Sequence, residues 1–256
     1  MHVQRLQFTA ESEAGKSSLY HQAMAVLAAL YRHGQICGQD WPLHWEGLHL
    51  MAQVQTLEVD ALDAVHHSAE VCQALAALPP QGMAVQYLGE GASEAVACSC
   101  VHSSSFALYT HFLHLGSPIL CLDCGGQVPL YRLPAGALHS QVLLSWQSDY
   151  RACDSLQMGC ELLEAETTYQ LAALDSALTR RGRALCDALT QQTGRPFYYY
   201  LYCHEGTDLE SESRRPCPSC GQPWPRQQLR IAPFDFQCDR CRLLSNIAFE
   251  VGWMGQ

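Results

Sequence analysis

Four cysteines near the end of the 256-residue sequence have the spacing of a metal site. Cys217 and Cys220 form one Cys-x-x-Cys hook, Cys238 and Cys241 form a second, and seventeen residues separate the two hooks. Paired hooks at this distance are typical of a four-cysteine zinc site. Because four protein thiolates leave no open position for water, the pattern predicts a structural zinc ion rather than a catalytic one.

A third hook, Cys121 and Cys124, lies in the middle of the chain without an adjacent partner hook. Cys98 and Cys100 can complete it, because a hairpin built on residues 106–115 would bring the two pairs together. The sequence therefore indicates a second metal site, whose ligands depend on which cysteines meet the hook.

Another pair of cysteines is an equal alternative for this second site. Cys153 and Cys160 are seven residues apart, which is about two helical turns and places them on one helix face. A histidine can also replace a cysteine, and the candidates are His102, His111 and His114. The sequence leaves these ligand sets open.

The distribution of charge limits the kind of partner. The net charge is −10, and phosphate binding depends on Lys and Arg, so the charge argues against a chain-wide nucleic-acid surface. Ten of the fourteen arginines nevertheless lie between Arg180 and Arg242. Six arginines in the C-terminal segment are the candidate phosphate contacts: Arg214, Arg215, Arg226, Arg230, Arg240 and Arg242.

An aromatic run at 197–202 admits two interpretations. It could stack nucleic-acid bases beside the arginines. A run of this kind is more often a buried strand, and we favour that interpretation.

The composition is that of a folded protein that does not enter a membrane. Hydrophobic residues make up 48% of the chain, and the apolar run at 23–30 is far shorter than the roughly 20 residues of a membrane span. The first residues do not lead into an apolar signal core. We therefore expect a cytoplasmic protein, in which clustered cysteines favour metal over disulfides.

The secondary-structure elements that must position these cysteines predict an α+β fold. Residues 1–90 show the order β-α-β-β-α-β, with one helix stopped by Gly34 and a second capped by Asp60, and this order predicts a ferredoxin-like region. Residues 91–204 form a mixed middle region with the Cys121 hook. A polar hinge then leads into a zinc ribbon at 212–256, for which we predict strands at 234–236 and 247–249.

Five phrases of the sequence resemble an uncharacterised bacterial family described as zinc-ribbon-containing, with a suggested nucleic-acid-binding role. The resemblance covers most of the chain and is densest from Cys98 onward. It implies a zinc ribbon but names no catalytic residues. The phrases are Cys-Leu-Asp-Cys-Gly-Gly at 121–126, Val-Pro-Leu-Tyr-Arg-Leu-Pro at 128–134, Ala-Cys-Asp-Ser-Leu-Gln-Met at 152–158, Tyr-Tyr-Tyr-Leu-Tyr at 198–202 and Phe-Asp-Phe-Gln-Cys-Asp-Arg-Cys-Arg-Leu-Leu-Ser-Asn at 234–246.

These observations predict a zinc-ribbon binding protein that contacts RNA or DNA through its C-terminal arginines. The alternative is a zinc-stabilised adaptor for another protein, with Trp224 or Trp253 on the contact surface. A weaker alternative is an enzyme that activates water at a middle zinc with one exchangeable ligand. No Ser-His-Asp or carboxylate pair supports catalysis, so we expect no enzymatic activity.

Overall fold

The computed structural model describes residues 1–92, 95–134, 140–224, 231 and 233–253, with backbone alone at 252 and 253. The protein is α+β, with two sheets and several helices. It divides into two compact units, the first made of Met1–Ala97, Leu115–Ser117 and Gln127–Leu133, and the second of Cys98–His114, Pro118–Gly126 and Pro134–Gln256. The second unit contains the predicted C-terminal region and most of the predicted middle region, whereas residues 91–97, 115–117 and 127–133 belong to the first unit.

The first unit has its regular elements in the predicted order. They are β1 (His2–Thr9), α1 (Lys16–His33), β2 (Leu43–Glu46), β3 (His49–Thr56), α2 (Ala69–Ala76) and β4 (Met83–Glu90). The four strands form an antiparallel sheet in the order β2-β3-β1-β4. Strands that follow one another through a helix are therefore separated in the sheet by one other strand.

The core of this unit lies between one sheet face and α1. Alternate residues of β1 are buried, among them Leu6 and Phe8, and they lie opposite Ala52 and Leu50 of β3. Helix α1 buries one stripe against this face, as its 3.6-residue period predicts. The stripe contains Leu19, Ala23, Val26, Leu27, Ala29 and Leu30. Gly34, with φ of 78°, ends the helix in the left-handed region, which glycine adopts without a steric penalty.

The prediction that Asp60 caps the second helix is wrong. Helix α2 begins after Ser68, whose hydroxyl accepts a hydrogen bond from the Val71 N–H at 3.2 Å. The preceding residues form turns and a short 3-10 helix, Ala64–His66, in which Val65 is 83% exposed. Both residues are good N-caps, so their types alone do not show which one starts the helix.

The second unit surrounds a five-stranded mixed sheet. Its elements are β5 (Phe106–Leu108), β6 (Ile119–Cys121), α3 (Ser140–Gly159), α4 (Glu164–Ala172), α5 (Ala177–Thr193), β7 (Phe197–Tyr200), α6 (Leu209–Arg214), β8 (Phe236–Cys238), β9 (Leu243–Ser245) and α7 (Phe249–Trp253). The strand order is β6-β5-β7-β9-β8. The three central strands are parallel, and each edge strand is antiparallel to its neighbour.

The aromatic strand β7 is the centre of this sheet. All four of its residues are buried, so the preferred interpretation of the aromatic run as a buried strand agrees with the structure over Phe197–Tyr200. Helix α5 approaches the strand closely: a Cβ built on Gly182 would lie 2.2 Å from Cε2 of Tyr199. The aromatic faces of β7 are therefore occupied by packing and are closed to nucleic-acid bases.

Two predictions about the C-terminal segment need correction. The strands of this segment are Phe236–Cys238 and Leu243–Ser245, so the predicted strand at 234–236 overlaps β8 only at Phe236. No strand forms at 247–249, where Phe249 begins α7. The polar stretch predicted to be a hinge contains α6, because the Asp208 carboxylate caps it by accepting the Ser211 N–H at 2.8 Å. The β8–β9 hairpin extends the main sheet through parallel pairing of β9 with β7.

Candidate metal centres

The C-terminal hooks are built by two tight turns. At the first hook the Gly221 N–H donates to the carbonyl of Cys217 at 2.8 Å, and Gly221 has φ of 68°. The second hook follows β8, in which Cys238 pairs with Leu243 of β9. Each turn places its two sulfurs on the same side of the loop, and the hairpin brings the two loops together.

The four C-terminal sulfurs lie at the separation that a shared ion requires. All four are within 4.8 Å of one another, and Sγ of Cys220 lies 3.8 Å from Sγ of Cys238. A tetrahedron with metal–sulfur bonds of about 2.3 Å has sulfur–sulfur edges of about 3.8 Å. The residues Cys217, Cys220, Cys238 and Cys241 can therefore hold one metal ion without rearrangement of the backbone.

The environment of these thiols differs from one sulfur to the next. A hydrogen bond from the backbone N–H of Gln222 is the main cause that lowers the pKa of Cys220 to about 7. Burial raises the pKa of Cys238 to about 12, and burial also raises the pKa of Cys217. A bound cation offsets such a burial penalty, because coordination deprotonates a thiol.

The middle hook meets Cys98 and Cys100 in the second unit. Sγ of Cys124 lies 3.6 Å from Sγ of Cys98, and Sγ of Cys121 lies 4.0 Å from Sγ of Cys100. The four sulfurs are all within 4.8 Å of one another. This group meets the same distance limit as the C-terminal one and can likewise hold a metal ion.

A hairpin brings the two halves of the middle group together. Strands β5 and β6 are antiparallel, with Phe106 opposite Cys121, and the Leu122 N–H donates to the Ser105 carbonyl at 3.0 Å. The loop is also held by Asp123, whose carboxylate accepts hydrogen bonds from the backbone N–H and the hydroxyl of Ser104. This is the geometry that the sequence allowed for Cys98 and Cys100, although the strand is shorter than expected.

The hydroxyl of Ser103 is a part of the middle group that the sequence reasoning missed. It lies 3.2 Å from Sγ of Cys121 and 3.6 Å from Sγ of Cys98. The guanidinium of Arg195 donates to the Ser103 carbonyl at 2.8 Å and holds the loop in place. Hydrogen bonds to ligand sulfurs tune metal sites, but cysteine spacing carries no signal for them.

The other candidate ligands lie outside both four-cysteine groups. Cys153 is half-buried within α3, Cys160 follows that helix with φ of 52°, and neither belongs to a four-sulfur group in the described residues. The ring of His111 stacks on that of His114 with 5.4 Å between centroids. Neither histidine, nor His102, belongs to either metal group.

The candidate phosphate-binding arginines are distributed over different environments. Arg214 is exposed and pairs with Glu210 at 2.6 Å, Arg242 pairs with Asp187, and Arg240 is exposed. Arg226 and Arg230 lie outside the described residues. The described arginines therefore do not present a common cationic surface of free guanidinium groups.

The Arg215 side chain is held by contacts within the C-terminal segment. Its Nε lies 3.2 Å from Oε2 of Glu212, and its terminal nitrogen donates to the Asn246 carbonyl at 2.8 Å. The guanidinium lies 4.8 Å from the ring centroid of Phe236 and 5.3 Å from that of Trp224. These contacts join α6, Asn246 and the rings of Trp224 and Phe236 within the C-terminal segment.

The structure describes the side chain of only one of the two tryptophans considered for an adaptor surface. The Trp224 side chain is buried, with 2% of its surface exposed, so it offers no contact surface. The side chain of Trp253 lies outside the described residues.

As regards membranes, none of the described helices combines the length and the apolar character needed to span a bilayer.

Comparisons with known proteins identify relatives without an assigned activity. Residues 100–202 match a family model described as a domain of unknown function, DUF2310, and residues 206–251 and 1–87 match two further such domains, DUF8594 and DUF8589. An uncharacterised protein of Haemophilus influenzae is 34% identical over 233 residues, which cover 88% of this chain and 89% of the relative. A second uncharacterised protein of that organism is 41% identical over 143 residues, covering 56% of this chain and 70% of the relative. No solved structure matches.

Proposed function

We propose that the two four-cysteine groups of this chain, which belongs to the uncharacterised DUF2310 family, each hold a structural zinc ion. The observation that carries this proposal is that the four sulfurs of each group lie within 4.8 Å of one another, with separations of 3.6 and 4.0 Å in the middle group and 3.8 Å in the C-terminal group. Four thiolates in a tetrahedron favour zinc or an iron–sulfur cluster among the common metals. Zinc has no redox chemistry of its own and suits a centre whose role is to hold loops together.

The closed ligand sets argue for binding rather than catalysis. Each zinc would have all four positions taken by protein sulfur, so no position remains for a water molecule. This weakens the enzyme alternative, which needs an exchangeable ligand at the middle centre. We infer that the zinc centres hold a rigid module and that the module acts by contact with a partner.

A protein is the partner that the described surface favours. The segment 152–179 contains Asp154, Glu161, Glu164, Glu166 and Asp175 and has no Lys, Arg or His. Within it Leu162 and Leu163 are 69% and 61% exposed. The carboxylates repel phosphate. The exposed leucine pair with its acidic neighbours suits a partner protein that has an apolar groove with a basic rim.

Nucleic-acid binding is the second candidate, and the exposure of Arg214 and Arg240 supports it. Arg215 pairs with the buried carboxylate of Glu212, and Arg242 pairs with the exposed carboxylate of Asp187, so less cationic surface remains for phosphate. For the first unit we propose a ferredoxin-like fold, on the basis of its element order and its sheet order β2-β3-β1-β4. That fold would not by itself assign a function. The thiol-rich composition supports a cytoplasmic location.

One experiment separates the two partner classes. The full-length protein is purified from cells with its bound material, and RNA and protein are scored separately, for wild type, Leu162→Ser/Leu163→Ser and Arg214→Ala/Arg240→Ala. The adaptor function predicts a stoichiometric protein partner that the leucine variant loses and the arginine variant retains. Bound nucleic acid that the arginine variant loses, with steeply salt-dependent affinity for a purified oligonucleotide, would favour the second candidate instead.

A further inference from the structure

Strand β4 is an open edge of the first sheet. It pairs with β1 on one side, and no strand of the described residues pairs with its other side. An edge strand presents unpaired N–H and C=O groups at every second residue and is a template for another strand. At eight residues β4 is twice as long as the opposite edge strand, β2.

The side chains of β4 do not protect this edge. Residues 83–89 contain no charge and no proline, which are the usual means of preventing edge pairing. A register shift, which leaves Leu88 without a partner on β1, is the one irregularity in the strand. Residues 83–87, which precede the shift, are uncharged and in regular register with β1, and they are free to accept a strand even though the whole protein carries a net charge of −10.

The core face of the sheet also continues onto β4 without cover. Val85 lies opposite Leu6 on β1, and Leu6 is fully buried, whereas Val85 is 45% exposed and Tyr87 on the same face is 48% exposed. The helix layer ends early because α2 has only eight residues and buries only Val71. An apolar strip is therefore exposed along the open edge.

We propose that β4 pairs antiparallel with β4 of a second copy of this chain, around a two-fold axis at Gln86. In this register Val85 lies opposite Tyr87 of the second copy, and Gln86 lies opposite its own equivalent. Pairs of a β-branched and an aromatic residue are among the favourable cross-strand pairs. The axis keeps the core faces on the same side, so the two exposed strips combine into one apolar cluster.

The strand itself favours a second copy over an unrelated peptide. A C2 interface requires a surface that is complementary to itself, and an uncharged segment with a polar residue at its midpoint meets this requirement. The contact is smaller than a standard interface of about 1,600 Å². We therefore expect a dimer with a dissociation constant of about 1–100 μM.

A charge exchange at Gln86 tests the proposal in the full-length protein. Gln86 is exposed and lies opposite Arg5 on β1, so Gln86→Glu adds a favourable cross-strand pair within the monomer and Gln86→Lys adds a like-charge pair. Circular dichroism and zinc content verify that each variant monomer is folded. Sedimentation equilibrium up to about 300 μM should show a wild-type dimer and at least tenfold weaker association of each variant alone, since like charges would lie directly opposite. An equimolar mixture of the two variants should associate again as a heterodimer.

The matched control is Val65→Lys, an exposed site of the same unit away from the strand, which should dimerise like wild type. A wild-type protein that stays monomeric over the whole concentration range would overturn the proposal. A dimer that both charge variants retain, or a mixture that fails to associate when the wild type does, would place the interface elsewhere and overturn it equally.

Discussion

Sγ of Cys98 and Sγ of Cys124 lie 3.6 Å apart, although the two residues are separated by 26 positions in the sequence. The β5–β6 hairpin brings them together, and Ser103 contacts a sulfur from each side of the group, Cys98 and Cys121. Sulfurs that are not bonded to one another have no reason to converge in fours. A shared cation would supply that reason at both centres.

The first prediction concerns the ligands of the middle centre. Cys98→Ser should reduce the zinc content by one ion per chain, because a hydroxyl is a poor replacement for a thiolate ligand. Cys153→Ser is the matched control and should leave the zinc content unchanged, since Cys153 lies in α3 outside the group. Equal zinc loss in the two variants would show that the ligand set is wrong.

The second prediction concerns the C-terminal centre. Cys217→Ser or Cys238→Ser should release one zinc ion and expose the segment 212–256 to proteolysis. Structural zinc contributes roughly 10–16 kcal/mol in apparent terms, which exceeds the stability of most small domains. Limited proteolysis with mass spectrometry locates the cleavage sites. Cys72→Ser, at an exposed cysteine in the first unit, is the control, and a resistant tail in Cys217→Ser would contradict the expectation.

The third prediction separates structural from surface arginines in the ribbon. Arg215→Lys should lower the free energy of unfolding by about 1–3 kcal/mol, because lysine keeps the charge but loses the planar contacts with Phe236 and Trp224. Arg214→Lys should change it by less than about 0.5 kcal/mol, since its ion pair with Glu210 is exposed. Chemical denaturation at fixed zinc concentration gives both values. Equal effects would mean that Arg215 is not held as described.

The fourth prediction concerns the close approach of α5 to β7. Gly182→Ala should destabilise the second unit by about 1–3 kcal/mol, although alanine is the better helix former, because its Cβ would overlap Tyr199 and Trp146. Gly159→Ala, in α3, meets no atom within 4 Å and should be neutral or stabilising by up to about 1 kcal/mol. Thermal unfolding of both variants checks the pair, and a stabilised Gly182→Ala protein would contradict the packing.

Local patterns made the first unit predictable. The buried stripe of α1 and its stop at Gly34 follow from periodicity and glycine chemistry within a few residues of each position. The start of α2 was not predictable in the same way, because Asp60 and Ser68 are both suitable caps and tertiary packing selects one of them.

Long-range pairing explains what the sequence did not reveal in the second unit. Cysteine spacing identified both hooks of the ribbon, since each hook is a local turn. The parallel pairing of β9 with β7 joins residues more than forty positions apart, such as Tyr199 and Leu243, and no local pattern specifies it. The internal role of Arg215 depends on the same pairing, so composition alone made this residue look like part of a cationic surface.

The most direct test of the account is the zinc content of the purified full-length protein, measured by mass spectrometry of the metal under reducing conditions. Two zinc ions per chain are expected for wild type, one for Cys98→Ser, one for Cys217→Ser and none for the double variant. One zinc ion in the wild type would remove the middle centre, and none, with the protein fully folded after chelation, would contradict the zinc-centred account as a whole.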